Sequence, residues 1–159
     1  MEVFPFTEEE WEAVREAARE VINASKAENP TLRAARFADL QSVLRWLRGR
    51  HGDHPTLLET EANFSTSPSD AAGLYRRAER EAAARGLPAL SIRLALARVL
   101  VQELNELEAA REALLGCRDE LTFATEADCE TWAHLFTACE GLARGASEGE
   151  RPPLACASG

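Results

Sequence analysis

Two histidines three residues apart carry the most obvious potential chemistry of this 159-residue chain: His51-Gly52-Asp53-His54-Pro55, with Glu59 and Glu61 just beyond. Imidazoles and carboxylates are the donor types that hold a transition metal, and a metal-dependent enzyme built on His51, His54 and these acids is one reading. A working centre needs three or four converging ligands, however. Glycine and proline mark the segment as a turn, Asp53 is placed to cap the helix after it, and no HExxH or Cys/His framework accompanies it. The turn reading is preferred, so neither a metal nor another cofactor is expected.

Arg93 is the second candidate. It interrupts the apolar circumference of a helix expected over residues 89 to about 104, where an unpaired guanidinium would cost on the order of several kcal/mol. It therefore calls for a carboxylate, and Glu59 or Glu61 on the preceding helix pair is the expected partner in a structural ion pair that fixes helix register. The polar residues of the same helix, Ser91, Arg98, Gln102 and Asn105, fall at offsets of 7, 11 and 14 from the first, which places them on one narrow stripe. The stripe reads either as a solvated edge or as the wall of a partner-binding groove, where an arginine favours an acidic segment or a terminal carboxylate. No nucleophile with a base, glycine-rich phosphate loop or convincing acid pair appears, which points away from catalysis.

Composition narrows the scaffold. The chain has 29 alanines and only eight valines and isoleucines. Unbranched side chains lose little rotamer freedom in a helix, so an all-α fold is expected. The net charge of −9 comes in alternating blocks, −5 over residues 1–30, +4 over 31–50, −4 over 51–70, +4 over 71–100 and −7 over 101–145. Blocks of alternating sign suit helices that complement one another, and the overall acidity argues against nucleic acid as the main ligand. The basic face Arg33, Arg36, Arg45 and Arg48 lacks the aromatic interleaving of single-strand binders. No stretch approaches the roughly 20 apolar residues of a membrane span, and the first residues do not resemble a signal peptide; a cytoplasmic protein is expected. Four cysteines without a CxxC pair read as buried or idle thiols.

About seven antiparallel helices position these residues. Thr7-x-x-Glu10 is a capping box flanked by Phe6 and Trp11 as a hydrophobic staple. The first helix directs Trp11, Val14, Ala18, Val21 and Ile22 inward and ends near Ser25; the second, from about Thr31, buries Leu32, Ala35, Leu40, Val43, Leu44 and Leu47 and stops at Gly49 and Gly52. Pro55 opens a short third helix, and Ser67-Pro68-x-Asp70 starts a fourth that runs to about Arg85. The fifth is apolar almost all round and should be central. A sixth holds Leu107, Ala110, Leu114 and Cys117, and a seventh, capped by Thr125 and Asp128, buries Trp132, Leu135, Phe136, Cys139 and Leu142. Residues 1–145 read as one domain and 146–159 as a flexible tail.

Within this pattern Ala71-x3-Tyr75-x2-Ala78 is followed 39 residues later by Ala110-x3-Leu114-x2-Cys117, a small-large-small phrase along one helical face. Leu96, Ala97 and Leu100 supply a large residue next to a small one on an intervening helix. Over residues 57–121 the chain resembles tetratricopeptide repeats, whose paired helices carry such signatures. The resemblance implies helical hairpins stacked as an α-α superhelix or irregular bundle, and a non-catalytic scaffold that binds a protein or peptide partner in a groove beside the fifth helix. A second reading is an immunity-type inhibitor whose acidic ends block a basic toxin surface. Seventeen arginines against one lysine suit a GC-rich, bacterial-type gene.

Overall fold

The computed structural model describes residues 4–148, with side chains as far as Leu142. It is all-helical: among the described residues there are eight helices and no strand. They are α1 (Glu8–Lys26), α2 (Pro30–His51), α3 (Pro55–Phe64), α4 (Pro68–Arg85), α5 (Leu90–Gln102), α6 (Leu107–Leu115), α7 (Arg118–Leu121) and α8 (Glu126–Glu148). The count exceeds the expected seven because the chain makes one extra turn, α7, before the last long helix. Of the expected tail, residues 149–159 lie outside the described residues, and α8 continues to Glu148.

Local chemistry sets the helix starts. Thr7 Oγ1 accepts from Glu10 N at 3.1 Å while Glu10 Oε2 accepts from Thr7 N at 3.0 Å, a complete capping box. Phe6 stacks on Trp11 at 5.7 Å between ring centroids, closing the staple. Asn29 caps α2 through Leu32 N and places Pro30 at the first helical position, one residue before the expected start. Ser67 caps α4, and Thr125 Oγ1 accepts from Asp128 N at the start of α8. At the other ends, Gly52 (φ 78°) and Gly86 (φ 66°) occupy positive-φ positions that terminate α2 and α4, whereas Gly49 lies inside α2.

Consecutive helices pack in pairs, α1 on α2, α3 on α4 and α5 on α6; α4 against α5 and α2 against α3 join the pairs, and α8 covers α5 and α6. Two apolar clusters result. One gathers Phe6, just before α1, with Val14, Val21, Leu40, Leu44, Leu47 and Leu57 from the first three helices. The other runs from Leu58 through α4, α5 and α6 to Leu135 and Cys139. Ala71, Tyr75 and Ala78 on α4, and Ala110, Leu114 and Cys117 at α6, are all buried. Small side chains at these points let helices approach without an intervening void. Trp132 stacks on Phe136 and donates its indole N–H to Leu114 O at 2.7 Å, which anchors α8. Four residues expected inside stand in solvent: Ile22, Leu32, Ala35 and Leu142. No helix among the described residues is long and apolar enough to cross a membrane.

Candidate functional site

Helix α5 is the centre of the larger cluster. Ile92, Leu94, Leu96, Ala97, Leu100 and Val101 are buried, whereas Ser91, Arg98, Gln102 and Asn105 are all exposed. Asn105 ends the stripe in the α5–α6 turn with φ 54°, a left-handed conformation that asparagine tolerates better than most side chains.

The stripe borders residues from two other helices. Tyr75 of α4 is buried and donates its hydroxyl to Asn63 Oδ1 of α3 at 2.5 Å. Burial pushes the Tyr75 phenol up from its usual value, the Glu59 charge adds to this, and the Arg98 charge opposes it. Tyr75 therefore feels one charge from α3 and one from α5. Burial also raises the Glu59 carboxyl, partly offset by a hydrogen bond with Ser91. No ion pair to Glu59 occurs among the described residues. Glu59, Ser91, Thr56 and His54 share a cavity of about 340 Å³ at the N-terminal end of α5, with Phe4, Pro55, Leu87, Pro88 and Ile92 as its apolar walls. A cleft that sets convergent polar groups against apolar walls has the ingredients of a binding site.

Arg93 meets carboxylates, but not the expected ones. Its Nε donates to Glu79 Oε1 at 2.8 Å, and its Nη1 donates to Gly116 O at 2.8 Å and to Glu120 Oε1 at 3.0 Å. Neither Glu59 nor Glu61 takes part. Residues two apart on a helix lie about 200° around its axis; Ser91 faces Glu59, so Arg93 is turned toward α4 and α7. Glu61 instead accepts from Gln41 at 3.2 Å and lies 3.7 Å from Arg48. Burial tends to lower the Arg93 pKa, yet the hydrogen bond and charge of Glu79, with the charge of Glu120, hold it above the usual value.

The histidine cluster disperses on folding. His51 Nε2 lies 3.0 Å from Glu10 Oε2 on α1. His54, rather than Asp53, is the N-cap of α3, its Nδ1 accepting from Thr56 N. Asp53 accepts from Arg48 at 2.7 Å and Arg77 at 2.9 Å. Among the described residues no group of three His, Cys, Asp or Glu side chains is placed to hold a metal ion. Cys117 is buried in the core and its thiol is pushed up to about 11, chiefly by burial. A second, larger cleft of about 560 Å³ lies between α2 and α4. Two of its guanidiniums are already occupied, Arg77 by Asp53 and Arg76 by Glu106 at 3.5 Å.

Sequence reasoning missed Glu79 and Glu120, because acidic residues on exposed-looking helix faces give no signal of the element they will meet. It named Glu59, but as a partner for Arg93 or a metal rather than as the acid of a cavity. The sequence matches no family model, and no curated protein or solved structure is detectably similar to it.

Proposed function

We propose that the protein is a non-catalytic interaction module, a tetratricopeptide-like adaptor or scaffold that takes a segment of a partner protein along the exposed side of α5. One observation carries this reading: Ser91, Arg98 and Gln102 are exposed together on a helix whose remaining circumference is largely core, and Asn105 is exposed in the turn that follows. A buried helix that keeps one polar stripe exposed offers directional hydrogen bonds on a rigid support, which is what an interaction surface needs. Arg98 and Gln102 supply specificity, Arg98 toward a carboxylate. The cytoplasm is a compatible location, and the net charge of −9 disfavours a nucleic-acid partner.

Affinity capture with the full chain, run beside Arg98→Glu and Gln102→Ala, tests the proposal. The expected result is one captured species that both variants lose while their circular dichroism and unfolding midpoints stay at the parental values. With that species purified, Arg98→Glu should weaken binding by about tenfold or more, the order of a reversed interfacial charge. Variants that retain every captured partner at parental affinity would exclude this face of α5.

A further inference from the structure

The cavity beside Ser91 is lined by one acid, Glu59, and by the imidazole of His54, the N-cap of α3. Glu59 is half-buried between α3 and α5, forms no ion pair among the described residues, and lines a space of about 340 Å³. Several other part-buried or buried carboxylates are matched by cations: Glu10 by Arg50 and His51, Glu61 by Arg48, and Glu79 and Glu120 by Arg93. A partly desolvated carboxylate beside apolar walls favours a ligand that brings positive charge on an aliphatic stem: the head meets the acid and the methylenes cover the walls.

We infer that this cavity takes a basic side chain, of the lysine type, from the segment bound along α5, with Glu59 as its counter-charge and the Ser91 hydroxyl as a second contact. The inference rests on the reading of α5 as a binding face and adds the chemistry of the bound segment. Phe4, Pro55, Leu87 and Ile92 form the sleeve for the stem. The distance to Arg98 then sets a spacing. Ser91 and Arg98 are seven residues apart on α5, about 10 Å along the axis at 1.5 Å per residue. An extended chain advances about 3.3 Å per residue, so a basic residue in the cavity places the residue three positions away at Arg98. An acidic side chain is preferred there, giving a segment that pairs a basic and an acidic residue three apart.

The test uses the full chain labelled with ¹⁵N and four probes of defined structure. N-acetyl-lysinamide and its neutral analogue N-acetyl-norleucinamide examine the cavity alone. Acetyl-Lys-Ala-Ala-Glu-amide and acetyl-Lys-Ala-Ala-Gln-amide examine the spacing. The lysine probe should shift the amide signals of Thr56, Ser91 and Ile92, bind about threefold or more tighter than norleucine, the order of a partly exposed ion pair, and lower the titration midpoint of the Glu59 carboxyl. Glu59→Gln, which keeps the side-chain shape, should abolish the difference between lysine and norleucine. Equal binding of those two probes to the parent, no shift at these three amides, or undiminished lysine preference in Glu59→Gln would overturn the assignment. The tetrapeptides separate its failure from that of the α5 reading. A Glu peptide that binds tighter than the Gln peptide, with the advantage lost in Arg98→Glu, supports both. Lysine preference with equal tetrapeptide binding leaves the cavity assigned and removes the groove along α5.

Discussion

Glu120 supplies the cap that Leu90 lacks. Helix α5 begins at Ala89 and Leu90 without a side-chain cap of its own, and Glu120 Oε2 accepts both backbone N–H groups, at 3.0 and 2.8 Å. The other oxygen of the same carboxylate holds Arg93. One acid on the four-residue α7 thus satisfies two of the open donors at the start of the central helix and shares its guanidinium with Glu79, and a negative charge there also suits the helix dipole. Glu120→Ala should lose about 1–2 kcal/mol in urea unfolding, the order of a lost cap, because Arg93 keeps Glu79 as its counter-charge. Glu120→Gln, which retains acceptor oxygen, should lose less than half as much.

The second expected outcome concerns acid. Hydrogen bonding to the Thr7 backbone is the largest influence on the Glu10 carboxyl and holds it below its usual value; burial opposes this, and His51 and Arg50 reinforce it. A depressed folded-state pKa means that its stabilising effect is present in full above the ordinary carboxylate value and is lost as pH falls through the lowered one. Glu10→Gln should therefore bring the unfolding midpoint down near neutrality, and the gap from the parent should narrow progressively below about pH 4.5. A gap that stays constant down to pH 2 would assign the loss to packing alone.

Small residues at the helix contacts make a third outcome. Ala78 and Ala97 are fully buried, on α4 and α5. Ala78→Leu or Ala97→Leu should each destabilise the protein by about 1–3 kcal/mol through overpacking. Ala83→Leu, at an exposed position of α4, should stay within about 0.5 kcal/mol of the parent. Chemical denaturation of the three variants measures both expectations.

Glu59 yields a fourth. Its carboxyl is raised by burial, so the folded state binds a proton more tightly than the unfolded one. That benefit is complete below the ordinary carboxylate pKa and disappears as pH rises through the raised value. Above the raised value the charged acid is a burden on the fold, so Glu59→Gln should unfold at a higher temperature than the parent at pH 7, with the advantage shrinking toward pH 4. A residue whose removal improves stability is one that folding alone does not call for.

Legibility followed range. Thr7 with Glu10, Ser67 with Asp70 and Thr125 with Asp128 were readable because both partners lie within one turn and their spacing encodes the bond. The buried side of α5 was readable for the same reason, since its periodicity belongs to a single helix. The partners of Arg93 were not: Glu79 lies 14 residues before it and Glu120 27 after it, and which of many acids arrives depends on the rotation of each helix about its axis. His51, Asp53 and His54 look like a ligand set only while adjacent in sequence. Folding sends one to α1, one to the arginines of α2 and α4, and one to the first turn of α3. The exposure of Ile22 and Leu32 has a similar origin, since they sit where α1 ends and α2 begins and no other helix was needed to cover them.

Leu57 and Leu58 are neighbours in the chain, yet the first is sealed into the cluster of α1 and α2 and the second into that of α4 to α6. The ten-residue α3 therefore works like an axle gripped from both sides. A twist imposed at Glu59 by anything occupying the cavity would turn Leu57 and Leu58 together, so an event at the rim of α5 would be felt by both halves of the molecule at once.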